Sequence, residues 1–404
     1  MSSQASVSPA QPIFAHFTTA QKLILLFLLG MILFIPTSQP LHAQESRSQE
    51  ICPAVGIQEM NRGYPAGGII LTAFDRTALW VYDVATGRRY PLPETAPCGS
   101  NCHLSPDFTE ITYFNYLIRT YNRMRLNGTG RALVAESASE VEWWGENTFL
   151  IWTPGQMAYL RDAAGTERDH LNVQSVVSVQ PNGTYGVLIQ PNEDREGFHR
   201  ELLDLRTRNT HGVNESIVLG ADIPYFNNQS WSPDGQFLAY IVATLNADDD
   251  VVGNELYGYS ARDGETRPWT QLTDTYGVTR INGLSPDRLS WSPDSTRIAY
   301  WVTELTGSDP TANTGVAMIH ILDVVSGDHT IYCGFVTTQH TPNPPRLVWS
   351  PDGNHLAFAG DVETDERAVL LLALDTETGI FTALSEGVAS AMGGPNVVAW
   401  GILE

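Results

Sequence analysis

The chain is expected to be all-β, folded as a seven-bladed β-propeller with six blades as the alternative, and three observations predict it. First, a phrase returns. Trp231-Ser232-Pro233-Asp234-Gly235 leads into Phe237-Leu238-Ala239-Tyr240, and Trp291-Ser292-Pro293-Asp294-Ser295 leads into Ile298-Ala299-Tyr300. Trp349-Ser350-Pro351-Asp352-Gly353 then leads into Leu356-Ala357-Phe358. The three Asp residues stand 60 and 58 positions apart, and self-similarity at a fixed period means one supersecondary unit copied along the chain. Second, further alternating strands end in hairpin turns such as Asp83-Val84-Ala85-Thr86-Gly87, Asp323-Val324-Val325-Ser326-Gly327 and Asp375-Thr376-Glu377-Thr378-Gly379. Alternation bounded by Asp/Gly turns is the hairpin signal, and four strands per unit around an axis describe a propeller blade. Third, the two ends complement each other. Val397-Val398-Ala399-Trp400 reads as a first strand without followers, and Gly68 to Phe74 as a second strand without a first. Pairing them closes the ring and removes its open edge.

Taken in order, the chain begins with a targeting segment. Residues Leu23 to Ile35 are an apolar run with Lys22 before it and Pro36 after it. That is short for a membrane span, which wants about 18 residues or more, and it fits a signal-peptide core ending near Leu41-His42-Ala43. Residues 1–43 are therefore read as a signal peptide, with a short membrane anchor as the alternative. Residues 44–66 are read as a flexible lead-in and 67–404 as the propeller.

Looser copies of the phrase fill the first half: Leu104-Ser105-Pro106-Asp107, Trp143-Trp144-Gly145-Glu146-Asn147 and Gln180-Pro181-Asn182-Gly183. In each full copy Pro presets φ for the turn, Asp bonds a backbone N–H two residues on, and Gly supplies the positive φ that closes it. Ser295 replaces that Gly, so its turn is expected to be strained or of another type. The repeated Asp residues are thus read as turn caps rather than catalytic carboxylates. Trp144, Trp231, Trp291, Trp349 and Trp400 are read as anchors between sheets, leaving Trp143, Trp269 and Trp301 as candidates for surface stacking.

The Trp-Ser-Pro-Asp phrase resembles the repeats of TolB-like propellers, relatives of the WD-repeat proteins, over about residues 67 to 403. The resemblance implies a platform for protein contacts. The same ring also serves as the non-catalytic domain of prolyl-oligopeptidase-like enzymes, and fold alone does not fix function.

Charge narrows the partners. The formal net charge is −22, from 45 acidic and 23 basic residues. Nucleic-acid binding needs a basic footprint, which this composition lacks, and anionic membrane surfaces are disfavoured for the same reason. The membrane enters only through an uncleaved N-terminal segment. With strands A to D in each blade, the Ser-Pro-Asp turns join A to B on one face, and the B–C connections emerge on the other. The B–C connections of blades four to seven are acidic: Glu193, Asp194 and Glu196; Asp248, Asp249, Asp250 and nearby Glu255; Glu304 and Asp309; Asp361, Glu363, Asp365 and Glu366. Such a field speeds encounter with cationic partners. It suits a basic protein or peptide, or a hard cation. Calcium takes six to eight oxygens, although the spacing matches no EF-hand loop.

Export permits disulfides. Cys52, Cys98, Cys102 and Cys333 allow three pairings. The closest pair is Cys98 with Cys102, which leaves Cys52 with Cys333 to tie the lead-in to the sixth blade. Neither Gly-x-Ser-x-Gly nor His-Glu-x-x-His occurs, so no nucleophile elbow or zincin motif is present. His103, His340 and Asn343 precede or begin inner strands, where a channel-mouth site would be built, while His320 and His355 read as structural. The sequence therefore points to an exported, non-enzymatic propeller that presents an acidic loop face to a protein or peptide. A hydrolase or lyase acting on an extracellular sugar or lactone at the channel mouth is the alternative, and a cation- or ligand-sensing domain the third.

Overall fold

Seven small antiparallel sheets make up the computed structural model, each carrying one blade. It describes residues 47–53, 57–59, 64–72, 78–93, 95, 102–155, 157–174, 176–192, 198–217, 229–248, 251–282, 289–304, 317–337, 344–361, 369–386 and 397–403. All of them belong to one unit, Ser46–Glu404. The fold is a seven-bladed β-propeller.

Blade one is shared between the ends of the chain. Val397–Gly401 is its inner strand, followed by Ile69–Thr72, Leu79–Asp83 and Arg89–Leu92. Ile70 stands opposite Trp400 in the register, so the predicted closure is present. Blades two, three, four and five follow as consecutive four-stranded sheets, the last beginning at Ser230–Trp231. Blade six has two short inner segments, Thr279–Ile281 and Ser290–Trp291, both paired with Arg297–Glu304. Blade seven begins at Val348–Trp349.

The segment expected as a flexible lead-in carries two strands. Ser48–Ile51 runs parallel to the outer strand His329–Thr337 of blade six, and Gln58–Glu59 runs parallel to Phe381–Glu386 of blade seven. An outer strand presents unpaired N–H and C=O groups, and these additions satisfy some of them. Ile51 packs against the core between blades six and seven. The Cys52–Cys333 disulfide pins it there, closing 281 residues of chain.

The apolar core lies between blades. One buried cluster joins each neighbouring pair, for example Tyr121, Val134, Val141 and Phe149 between blades two and three. Tyr82, Leu371, Leu384 and Trp400 join blade seven to blade one. Burying both faces of a sheet demands apolar residues on both sides of the pleat, which is why Leu370, Leu371, Leu372, Ala373 and Leu374 are all inaccessible to solvent.

The Ser-Pro-Asp turns form a polar belt on one face. In blade five the Ser232 hydroxyl donates to Asp234 Oδ1 (2.6 Å) and accepts from the Phe237 N–H (3.0 Å), while Asp234 Oδ1 accepts from the Gln236 N–H (3.0 Å). The same pattern recurs around Asp107, Asp294 and Asp352. Ser295 adopts the same left-handed backbone as its glycine counterparts, φ 62° against 71° at Gly235 and 70° at Gly353. The turn type is unchanged. Its hydroxyl accepts from the Asp234 N–H of the neighbouring blade (3.1 Å), a bond no glycine could make. Gln180 Nε2 reaches the Gly235 carbonyl (2.7 Å) and an Arg297 N–H reaches that of Gly353 (2.6 Å), so successive turns are tied blade to blade.

Tryptophans add a second interblade link. Trp291 donates to the Ser230 carbonyl (3.3 Å) and Trp349 to that of Ser290 (2.8 Å). In blade three this role falls to Trp143, which donates to the His103 carbonyl (3.1 Å), and not to Trp144. The blade-three hairpin is one residue shorter, with Trp143 opposite Phe149 where Trp231 stands opposite Leu238, so the equivalent position moves back by one. Trp301 is only 1% exposed and donates to the Pro345 carbonyl (2.7 Å). It is core, not a surface stacker.

Candidate functional site

Antiparallel strand order sends the A–B and C–D turns of every blade to one face, and the B–C and D–A connections to the other. The belt of Asp turns occupies the first face. Their carboxylates are structural: at Asp107, Asp294 and Asp352 burial pushes the pKa up. The bonds from Ser hydroxyls and backbone N–H groups outweigh it and hold each group below the ordinary carboxylate value.

Of the acids assigned to the second face, Asp248 is exposed, with its N–H bonded to Asn246 Oδ1 (2.8 Å) beyond the strand Phe237–Leu245. Asp361 ends the strand His355–Asp361, in register with Val369. Asp249, Asp250, Glu363, Asp365 and Glu366 lie outside the described residues. Glu255 has a different role from the one its sequence position implied. Its carboxylate accepts from Thr270 Oγ1 (2.6 Å) and from the N–H groups of Leu272 and Thr273 (2.7 Å each). These are the orphan donors that open the short helix Leu272–Tyr276. A carboxylate committed to three such bonds is part of the fold.

The channel is built by the inner strands. A cavity of about 290 Å³ is lined by residues from blades one, two, five, six and seven, among them His103, Trp231, Trp291, Arg346 and Trp349. His103, largely buried, directs Nε2 toward Glu140 Oε1 at 3.6 Å. That is beyond hydrogen-bond reach but within ion-pair range once the imidazole is charged. His103 is therefore at the channel, as its strand position implied, and His340 and Asn343 lie outside the described residues. Sequence reading missed Arg346 and Glu140. Each stands just before or at the start of an inner strand, and aligning the blades on their Trp residues is the signal that finds them.

Cys52 and Cys333 are bonded as expected. Cys102 is also disulfide-bonded, while Cys98 lies outside the described residues. Among the described residues no helix is long and apolar enough to cross a membrane. His320 is buried, as its strand position implied. Its Nδ1 lies 3.3 Å from His329 Nε2, which in turn meets the Tyr300 hydroxyl at 2.6 Å.

No family model matches the chain, and no curated protein does. Among solved structures it is similar to TolB from Acinetobacter baumannii, 16% identical, covering 83% of this chain and 66% of that one, with a TM-score of 0.40. It is also similar to a functionally unknown protein from Desulfotomaculum acetoxidans (10% identical, 84% of this chain and 99% of that one, TM-score 0.44). A third likeness is to Kuenenia stuttgartiensis hydrazine synthase (13% identical, 68% and 76%, TM-score 0.39). The fold itself is a seven-bladed β-propeller. That rests on its own seven sheets and repeated turns, and no residue role is carried over from these proteins.

Proposed function

We propose that the protein is an extracytoplasmic binding module that presents the acidic B–C loops of its second face to a basic protein or peptide. The observation that carries this reading is the division of labour between acids. The repeated Asp residues are absorbed by turns on one face, while Asp248 is exposed in the connection that follows the strand Phe237–Leu245, on the other. Glu255 is left out of the docking set because the fold uses it. The Cys52–Cys333 bond supports an oxidising compartment.

The test is capture of basic proteins from the native envelope at low and raised salt, by wild type and by an Asp248→Asn, Asp249→Asn, Asp250→Asn variant. Salt-sensitive capture that the variant loses supports the reading. Equal capture by the variant sinks it.

A second reading is favoured by the His103–Glu140 approach beside the channel cavity: hydrolysis or lysis of a lactone or glycoside at the mouth. It requires turnover in a lactone and glycoside panel that disappears in His103→Ala. Turnover unchanged by that substitution would remove His103 from any chemistry.

A further inference from the structure

The second face carries an apolar projection that the fold does not explain. In blade two the strands Glu110–Asn115 and Thr120–Arg125 are joined by Tyr116, Leu117, Ile118 and Arg119. Tyr116 is 55% exposed, Leu117 86% and Ile118 64%. Turns ordinarily take Gly, Pro, Asn, Asp or Ser, and the same connection in blade three does so with Pro154-Gly155. Here three consecutive large apolar side chains stand at the tip, and Arg119 is held at φ 56° to close it. Single exposed apolar residues are ordinary; a contiguous group marks an interaction site.

The projection is also rigidly supported. The Leu117 N–H bonds Asn115 Oδ1 (3.0 Å). The Tyr116 ring meets Phe114 edge-on at 4.8 Å, and Phe114 meets Tyr121 at 4.9 Å. Tyr121 is buried in the core between blades two and three and donates to the Ser139 carbonyl (2.9 Å). The Tyr116 ring and the backbone of the tip, held in this way, lose little freedom on binding, which is how a preformed anchor gains affinity.

Its surroundings specify the partner. Glu136, exposed, stands opposite Thr120 in the register at the base of the hairpin. Glu140 opens the next inner strand, four residues further on. By strand order the projection shares its face with Asp248 and with the exposed Met157, Leu245 and Val278.

We infer that the Tyr116-Leu117-Ile118 hairpin is the apolar anchor of a protein-docking face, inserting into an aliphatic or aromatic socket of a partner segment rich in Lys or Arg. The commitment to a basic partner rests on charge complementarity with Glu136 and Glu140, which outnumber Arg119 at the tip, in a chain of net charge −22; Asp248, in blade five, shares the face three blades away. It therefore depends on the proposed acidic face, and adds the contact that would supply most of the affinity. Binding energy concentrates in a few apolar or aromatic anchors ringed by weaker polar contacts.

A library of 12-residue peptides displayed on phage, selected on the folded full chain, tests this. The enriched peptides should combine Lys or Arg with Leu, Ile or aromatic residues. As synthetic peptides they should bind a Leu117→Ser, Ile118→Ser variant at least tenfold more weakly than wild type, with the variant's melting temperature unchanged because both side chains are exposed. Equal affinity for that variant, absence of enrichment, or enriched peptides without basic residues would overturn the inference. Hairpin-dependent binding to neutral phosphatidylcholine vesicles in place of peptides would overturn it in favour of lipid. Peptides that keep binding the hairpin variant but lose the triple Asn variant at 248–250 would retain the acidic face and remove the anchor. The converse would retain the anchor and remove the acidic face.

Discussion

Ser350 shows how one hydroxyl can serve a whole turn. It donates to Asp352 (2.5 Å) and accepts the His355 N–H (3.0 Å), so Ser350→Ala removes one of the carboxylate's donors, leaving the Asn354 N–H, and strips a buried N–H of its acceptor. Leaving such a group unpaired costs about 1–3 kcal/mol. The expected result is a melting temperature lower by a few degrees, measured calorimetrically, with peptide binding untouched. An unchanged melting temperature would mean the turn does not depend on this pair. The histidines of blade six set a pH dependence. Burial lowers the pKa of His329 from 6.5 to about 4, and burial, then His329, lowers that of His320 well below 6.5. The unfolded chain therefore binds more protons between those values, so stability falls as pH drops from 6.5 towards 4. His329 alone accounts for about 3 kcal/mol of this, and urea melts of His329→Gln should show a shallower acid slope than wild type. Residue roles were legible where a turn repeats its chemistry, as at Asp234, and illegible where a side chain's direction depends on a neighbour. Glu255 looked like a loop acid because the helix it caps is only five residues long. Trp143 and Trp144 were exchanged because a one-residue change in hairpin length reverses which side chain meets the next blade.

At the level of elements, blade boundaries and the terminal closure could be read from the sequence, because strand–turn–strand units repeat and an unpaired first strand at one end matches an unpaired second strand at the other. The outer strands Ser48–Ile51 and Gln58–Glu59 were not legible. They are short, polar and parallel to their partners, so they carry neither alternation nor a hairpin turn. The first is held by its ladder with His329–Thr337, by Ile51 in the core and by the Cys52–Cys333 bond. Reduction, or Cys333→Ser, should speed amide exchange at Ser48–Ile51 and lower the melting temperature, because a cross-link closing so long a loop is worth about 5 kcal/mol at most. Exchange rates equal to those of the oxidised protein would show that the strand pairs without its tether.

For the whole molecule, stability is circular. Each core cluster belongs to two blades, and Val397–Gly401 contributes to both clusters that flank blade one. Removal of residues 397–404 should therefore abolish cooperative unfolding of the entire ring instead of loosening one blade, as judged by calorimetry and near-ultraviolet circular dichroism. A truncated chain that melts cooperatively near the wild-type temperature would refute closure by that strand. The sheets are buried on both faces and only loops remain free to vary, which is why the proposed docking function is assigned to the connections. The most direct measurement of the central claim is the salt dependence of basic-partner binding by wild type and by the variant neutralised at Asp248, Asp249 and Asp250. Affinity that falls steeply with salt for wild type, and starts weaker and falls less for the variant, is the predicted result. Matching affinities and slopes for the two proteins would contradict an acidic docking face.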